Sequence, residues 1–300
     1  MQFLISKKKQ ELLSKLTQKE KRKAKLIQKK EEEENSWNEW LAGLIDGDGS
    51  LLISRQGYCS CEITMDLRDE KALMEVKSKL GGSVKLRSGV KALRYRLHNL
   101  DGIKKLIHRI NGQIRTKDRV NQLKAICLHL SLSYIEPQPL TLSNAWFAGY
   151  FDADGTIVGY FNTQKQTLTI NSDSLLIKKA FQEDSRLKQT KNIGKLGIAI
   201  SVTSKHKENL EPFLLLHGKV YYDKSGYGCY KWCIQSKIDI LNFVTYTHQC
   251  PPRSSKLARL KLVKSYYELV EMNAHQASFE KEPAKYKAWK YLQDKWVERK

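Results

Sequence analysis

Two stretches of the chain carry apolar residues at helical spacing. Trp37, Trp40, Leu41, Leu44 and Ile45 fall at i, i+3, i+4, i+7 and i+8, a repeat that lines one face of a helix. Ser36, with Glu39 three residues on, has the form of a capping box that would start that helix. Trp146, Phe147, Tyr150 and Phe151 repeat the stripe behind Ser143 or Asn144, either of which can serve as N-cap. Both predicted helices run into closely similar decapeptides, LAGLIDGDGS at 41–50 and FAGYFDADGT at 147–156, so the chain carries an internal repeat.

After each copy the same order of short alternating stretches and helical stretches follows, and it predicts two α+β lobes. In the first, strands are expected near Leu51–Gln56, Cys59–Met65, Ser83–Arg87 and Leu93–His98. Helices are expected near Asp69–Leu80, Gly102–Ile110 and Lys117–Leu130. In the second, strands are expected near Thr156–Phe161, Thr167–Ile170, Lys219–Tyr222 and Cys229–Gln235, with extra chain inserted around 171–195. Pro137 and Pro139 mark 131–142 as a linker. The division expected is a charged arm over 1–34, a first lobe over 35–130, the linker, a second lobe over 143–275 and a C-terminal helical tail over 276–300. In the tail, Tyr286, Trp289, Leu292 and Trp296 form a packing stripe.

Composition narrows the partner. Lysine and arginine outnumber aspartate and glutamate by 53 to 32, a net charge of +21, which calls for a polyanion or an acidic surface. No apolar run is long enough to span a bilayer, so no membrane partner is expected. The six cysteines include no CxxC pair and read as reduced, structural thiols. A chain ending without splice-junction chemistry also argues against an intein, and a free-standing protein is expected.

The repeated motif is where the chemistry lies. Gly43 with Gly47, and Gly149 with Ala153, place small residues four apart, which lets two helix backbones approach closely. Ala42, Gly43, Ala148 and Gly149 would then form the helix interface. Paired about a pseudo-two-fold axis, the helices would bring Asp48 and Asp154 side by side. Two carboxylates on a basic protein suit a hard divalent cation.

Two copies of the pattern small-Gly-apolar-apolar-Asp-small-Asp-Gly resemble the LAGLIDADG homing endonuclease family, of the single-chain, two-motif type. The resemblance implies two pseudo-symmetric αββαββα lobes with saddle-shaped antiparallel sheets, acting as a monomer. It implies that Asp48 and Asp154 are catalytic and hold magnesium, which manganese can replace, with the carbonyls of Gly47 and Ala153 contributing. It also implies one catalytic lysine per lobe, matched here by Lys117 and Lys256. Asp46 and Asp152 read as structural. The activity implied is a double-strand break in a long asymmetric DNA site, leaving short 3′ overhangs and promoting intron homing. An organelle, either mitochondrion or chloroplast, is the compartment the family suggests, with bacterial or archaeal cytoplasm as the alternative.

A DNA-reading sheet should turn apolar residues inward and polar or basic ones toward the groove. Leu93, Tyr95 and Leu97 alternate with Arg94, Arg96 and His98, and Cys61, Ile63 and Met65 with Ser60, Glu62 and Thr64. Ser54, Gln56, Lys85 and Arg87 join that face. In the second lobe Thr167, Thr169, Lys231 and Gln235 alternate with apolar neighbours, and Asn162 and Gln164 extend the first strand. Arg115 and Arg253, just before the two lysines, are phosphate-contact candidates. The rival reading is a group I intron maturase, binding RNA with the same fold. A non-catalytic DNA-binding regulator ranks third.

Overall fold

The first apolar stripe belongs to a helix much longer than its own pattern. The computed structural model describes residues 18–161 and 196–298, and in it α1 runs unbroken from Gln18 to Asp48 over 31 residues. From residue 18 onward the expected charged arm is therefore the N-terminal part of the motif helix, exposed between Glu20 and Glu33 except at the half-buried Ala24. Ser36 lies inside the helix and caps nothing. A continuous run of Lys, Glu, Gln, Ala and Leu has high helix propensity, and that overrides the local capping signal.

After α1 come β1 (Gly49–Ile53), β2 (Cys59–Asp66), α2 (Glu70–Leu80), β3 (Ser83–Leu86), β4 (Ala92–Leu97), α3 (Leu100–Ile110) and α4 (Lys117–His129). The strands form an antiparallel sheet in the order β1-β2-β4-β3. Alternation sets its faces. Cys61 stands opposite Leu97, Ile63 opposite Tyr95 and Met65 opposite Leu93, all buried. Against that side lie the apolar stripes of α2 (Ala72, Leu73, Val76, Leu80) and α3 (Ile103, Leu106, Ile107, Ile110). The strand expected to reach Gln56 ends at Ile53. Ser54 and Gln56 fall in the following turn, where the Ser54 amide donates to the Tyr58 carbonyl at 2.9 Å.

No helix or strand occurs between His129 and Trp146. Then follow α5 (Trp146–Asp154), β5 (Gly155–Tyr160), β6 (Gly197–Ser204), β7 (Lys219–Asp223), β8 (Cys229–Ile234), α6 (Lys237–Gln249), α7 (Lys256–Leu260), α8 (Val263–Glu271) and α9 (Pro283–Val297). The second sheet repeats the first one's order, as β5-β6-β8-β7.

Two expectations for this lobe need correction. The strand between β5 and β8 is Gly197–Ser204, with Ile198, Ile200 and Val202 buried, so the place assigned to Thr167–Ile170 is taken and the inserted chain separates β5 from β6. Thr167–Ile170 lies outside the described residues. Both stretches alternate apolar with polar, and period two alone cannot choose between them. The helix expected between the second and third strands is replaced by two 3-10 segments, Lys207–Asn209 and Glu211–Leu216, with Pro212 in the first turn of the longer one. They still bury Leu210, Phe213 and Leu216, and Phe213 packs on Trp232 with ring centroids 5.2 Å apart.

The expected packed tail is α9, except that Tyr286 is exposed rather than packed in the stripe. Trp289 and Trp296 meet Phe161 at 5.5 and 5.4 Å, Trp289 meets Tyr266 at 5.7 Å, and Leu292 is buried. By its contacts the chain divides into two compact units. One comprises residues up to Asp154 together with Tyr246–Ser254, and the other comprises Gly155–Thr245 and Ser255 onward. Both motif helices thus belong to the same unit.

Candidate active site

The site is built where α1 and α5 pack together. At Gly43 an added Cβ would sit 2.8 Å from the Tyr150 amide nitrogen and closer still to the Trp146 carbonyl. At Gly149 it would sit 2.8 Å from the Leu44 nitrogen and closer still to the Trp40 carbonyl. Only glycine allows this backbone contact, as the spacing predicts. One turn further on, Gly47 meets Ala153, and a Cβ at Gly47 would lie 3.4 Å from Oδ2 of Asp154. The carboxylate of Asp154 therefore reaches the other helix beside Asp48. Asp48 is exposed and Asp154 half-buried, so all four residues expected to hold the metal gather at the paired helix ends.

The start of α5 is secured in part by α1. Glu39, read from the sequence as half of a capping box in its own helix, accepts from the Ala145 amide at 2.8 Å and from Asn35 at 3.0 Å. Asn144 accepts from the Trp146 amide at 2.8 Å, fulfilling its expected cap role. The Tyr246 hydroxyl donates to the Asn144 carbonyl and accepts from the Ala148 amide.

Asp46 and Asp152 are buried and organise the segments ahead of the two lysines. Asp46 accepts from the amides of Arg115 (2.8 Å) and Thr116 (3.0 Å), from the Thr116 hydroxyl (2.6 Å) and from the Trp146 indole (2.7 Å). Burial still raises its carboxyl pKa to about 6 against the opposing pull of those donors. Asp152 accepts from the Arg253 amide (2.6 Å), the Ser254 hydroxyl and the Trp40 indole (2.8 Å). Lys117 is exposed and opens α4, and Lys256 is half-buried and opens α7. Each therefore starts a helix directly after an aspartate-anchored turn.

Arg115 and Arg253, the phosphate-contact candidates, both find partners within the protein. Arg115 donates to the Gln138 carbonyl at 2.8 Å, and burial lowers its pKa. Arg253 pairs with Glu75 at 2.7 Å and lies 5.0 Å from the Trp40 ring centroid. Both guanidiniums brace the protein itself. A single arginine in a loop carries no sequence sign of which partner it finds.

The outer face of the first sheet holds the expected polar set. Ser60, Glu62 and Thr64 on β2, Lys85 on β3 and Arg94 and Arg96 on β4 share that face, with Arg87 and His98 exposed just beyond the strands. Glu62 accepts from Arg96 at 2.7 Å and lies 3.6 Å from Arg94. A concavity of about 310 Å³ opens among Ser83, Lys85, Arg87, Ser88, Arg94 and Arg96. On the second sheet Lys231 stands opposite Tyr221 and Thr203, and Gln235 is exposed just past β8. Thr203, half-buried on β6, was missed, while Ser201 on the same side of the strand is buried. The alternation of 197–204 was the signal that could have found it. Asn162, Gln164, Thr167 and Thr169 lie outside the described residues.

A family model described as LAGLIDADG endonuclease matches residues 41–127. An intron-encoded RNA maturase of Saccharomyces cerevisiae is 42% identical over 261 residues, covering 87% of this chain and 36% of the relative. A probable intron-encoded endonuclease of Debaryomyces hansenii is 40% identical over 264 residues, covering 88% of this chain and 38% of the relative. The chain thus spans little more than a third of the length of these two relatives. An intron-encoded DNA endonuclease of Dictyostelium discoideum is 32% identical over 237 residues, covering 77% of this chain and 79% of the relative. Among solved structures, a LAGLIDADG meganuclease bound to uncleaved DNA matches with a TM-score of 0.57 at 16% identity, covering 84% of this chain and 98% of that one. A LAGLIDADG homing endonuclease in complex with its DNA target also matches at 0.57, at 15% identity, covering 86% and 97%. These structural likenesses establish the fold.

Proposed function

The chain belongs to the LAGLIDADG endonuclease family, and on that premise we propose that it is a site-specific DNA endonuclease cutting both strands of a long asymmetric target. The observation that carries this reading is the approach of the Asp154 carboxylate to Gly47, the residue before Asp48, at the ends of two helices held together through Gly43 and Gly149. Without a shared ion, bringing two carboxylates together is unfavourable.

The donor set fits magnesium, or manganese in its place. Two carboxylates beside the carbonyls of Gly47 and Ala153 offer oxygen ligands only. Among the described residues no cluster of three or more His, Cys, Asp and Glu side chains stands ready to enclose a metal, which leaves room for water and phosphate oxygens. Bound there, the ion would supply an activated water and neutralise charge on the leaving 3′ oxygen. Asp48 and Asp154 hold the site, and Asp46 and Asp152 fix the turns ahead of Lys117 and Lys256. Those two ammonium groups supply positive charge for the phosphoryl group being transferred. Arg94, Arg96 and Lys85 on one sheet, with Lys231 and Gln235 on the other, contribute base and phosphate contacts. The single-chain repeat supports action as a monomer, and intron-encoded relatives fit a role in intron homing within an organelle.

The test is cleavage of duplex DNA spanning an intron-insertion site. Magnesium-dependent double-strand cuts with short 3′ overhangs are expected. Asp48→Asn and Asp154→Asn should each lower the rate by at least about a thousandfold, an order expected when a metal ligand of the reaction is removed, while DNA binding persists. A specific observation keeps a second reading alive: a relative covering 87% of this chain is named an RNA maturase. Tight binding of the cognate group I intron RNA without cutting of any intronless allele would put that reading first.

A further inference from the structure

The two buried aspartates share a feature that the repeated motif does not announce. Oδ2 of Asp46 accepts both from the Arg115 amide of its own lobe, at 2.8 Å, and from the Trp146 indole of the other motif helix, at 2.7 Å. Oδ2 of Asp152 accepts both from the Arg253 amide, at 2.6 Å, and from the Trp40 indole, at 2.8 Å. Each lysine-bearing segment is thereby tied, through one carboxylate oxygen, to the helix of the opposite repeat. Trp40 and Trp146 are both buried, so neither indole can exchange this bond for one to water. A buried N–H prefers its one acceptor strongly, and its loss frees the carboxylate to rotate.

We propose that Trp40 and Trp146 are crossed positioning residues: Trp146 sets the turn that leads into Lys117, and Trp40 sets the turn that leads into Lys256. The arrangement makes each lobe's lysine dependent on the pairing of both motif helices, which couples the two strand cuts. The catalytic part of this inference rests on the endonuclease reading above, whereas the crossed wiring itself stands on the hydrogen bonds alone.

Trp37 provides the control. It is as buried as Trp40 on the same helix, and its indole nitrogen has no hydrogen-bond partner. Trp40→Phe, Trp146→Phe and Trp37→Phe are compared first by amide hydrogen exchange of the full chain. Trp146→Phe should speed exchange at Arg115 and Thr116 by roughly tenfold, the value of one charge-assisted hydrogen bond, and leave Arg253 unchanged. Trp40→Phe should do the reverse, and Trp37→Phe should alter neither. Uniform acceleration in both turns, or none, would overturn the wiring whatever the protein's activity. Strand-resolved cleavage is measured second, with each DNA strand labelled. Trp40→Phe and Trp146→Phe should slow opposite strands and accumulate nicked intermediates of opposite polarity. Equal slowing of both strands in both variants would reduce the indoles to a general packing role and overturn their positioning role. Wild-type chain that cuts nothing would sink the endonuclease reading, and with it the strand coupling, and would leave the exchange result to decide the wiring.

Discussion

Glu34 joins three elements through one carboxylate. It accepts from Lys79 on α2 at 2.7 Å and from Arg109 on α3, and both cations also lie over the Trp37 ring, at 4.6 and 5.3 Å from its centroid. The Lys79 hydrogen bond, then that from Arg109, hold the Glu34 carboxyl below the usual range. A carboxyl whose folded pKa is depressed contributes its full stability above the unfolded value of 4.5 and loses it as pH falls through the folded value. The side chain is 42% exposed, so solvent screens the pair and the contribution is modest. Glu34→Gln should cost about 0.5–1 kcal/mol at neutral pH, and the gap to wild type in thermal unfolding should close as pH is lowered below 4.5. A gap independent of pH would mean that packing on Trp37, rather than charge, makes the contribution.

At the scale of elements, the α1–α5 contact sets the distance between the two aspartates proposed to hold the metal. Gly43→Ala would drive a methyl into the Trp146 carbonyl and to within 2.8 Å of the Tyr150 amide. The helices must part or bend. Overpacking of this kind costs about 1–3 kcal/mol, readable as a lower Tm. Cleavage at a temperature where the variant is fully folded should fall by more than stability does, because misplacement of the order of 1 Å costs roughly a hundredfold in rate. A destabilised variant that cuts at the wild-type rate would show that the helix spacing does not position the carboxylates. The same scale explains the misread strand. Sheet position depends on which of two alternating segments finds hydrogen-bonding edges, and β6 pairs with β5 over 197–202 and with β8 over 200–204, information that local alternation does not hold.

The whole molecule carries a net charge of +21, and that total belongs to the energetics of association rather than of folding. Binding to duplex DNA should fall by roughly a thousandfold or more between 50 and 200 mM salt, the loss expected when six or more phosphates are neutralised. Filter binding or fluorescence anisotropy across a salt series would read the slope directly. A flat series would remove phosphate contact as the source of affinity and with it the role given to Arg94, Arg96, Lys85 and Lys231.

What the amino-acid sequence determined by itself is whatever periodicity and repetition encode. The two motif helices, the small residues at Gly43, Gly47, Gly149 and Ala153, the aspartates at equivalent places and the inward and outward faces of most strands follow from spacings of two and 3.6 residues, which are local geometry. Tertiary structure decided the partners. Glu39 reaches across to the Ala145 amide while still holding Asn35, Arg115 and Arg253 bind Gln138 and Glu75, and Trp40 and Trp146 each find the aspartate of the other motif helix. These pairs join residues far apart in the chain, and their formation follows from how closely two backbones pack, a property no single segment contains.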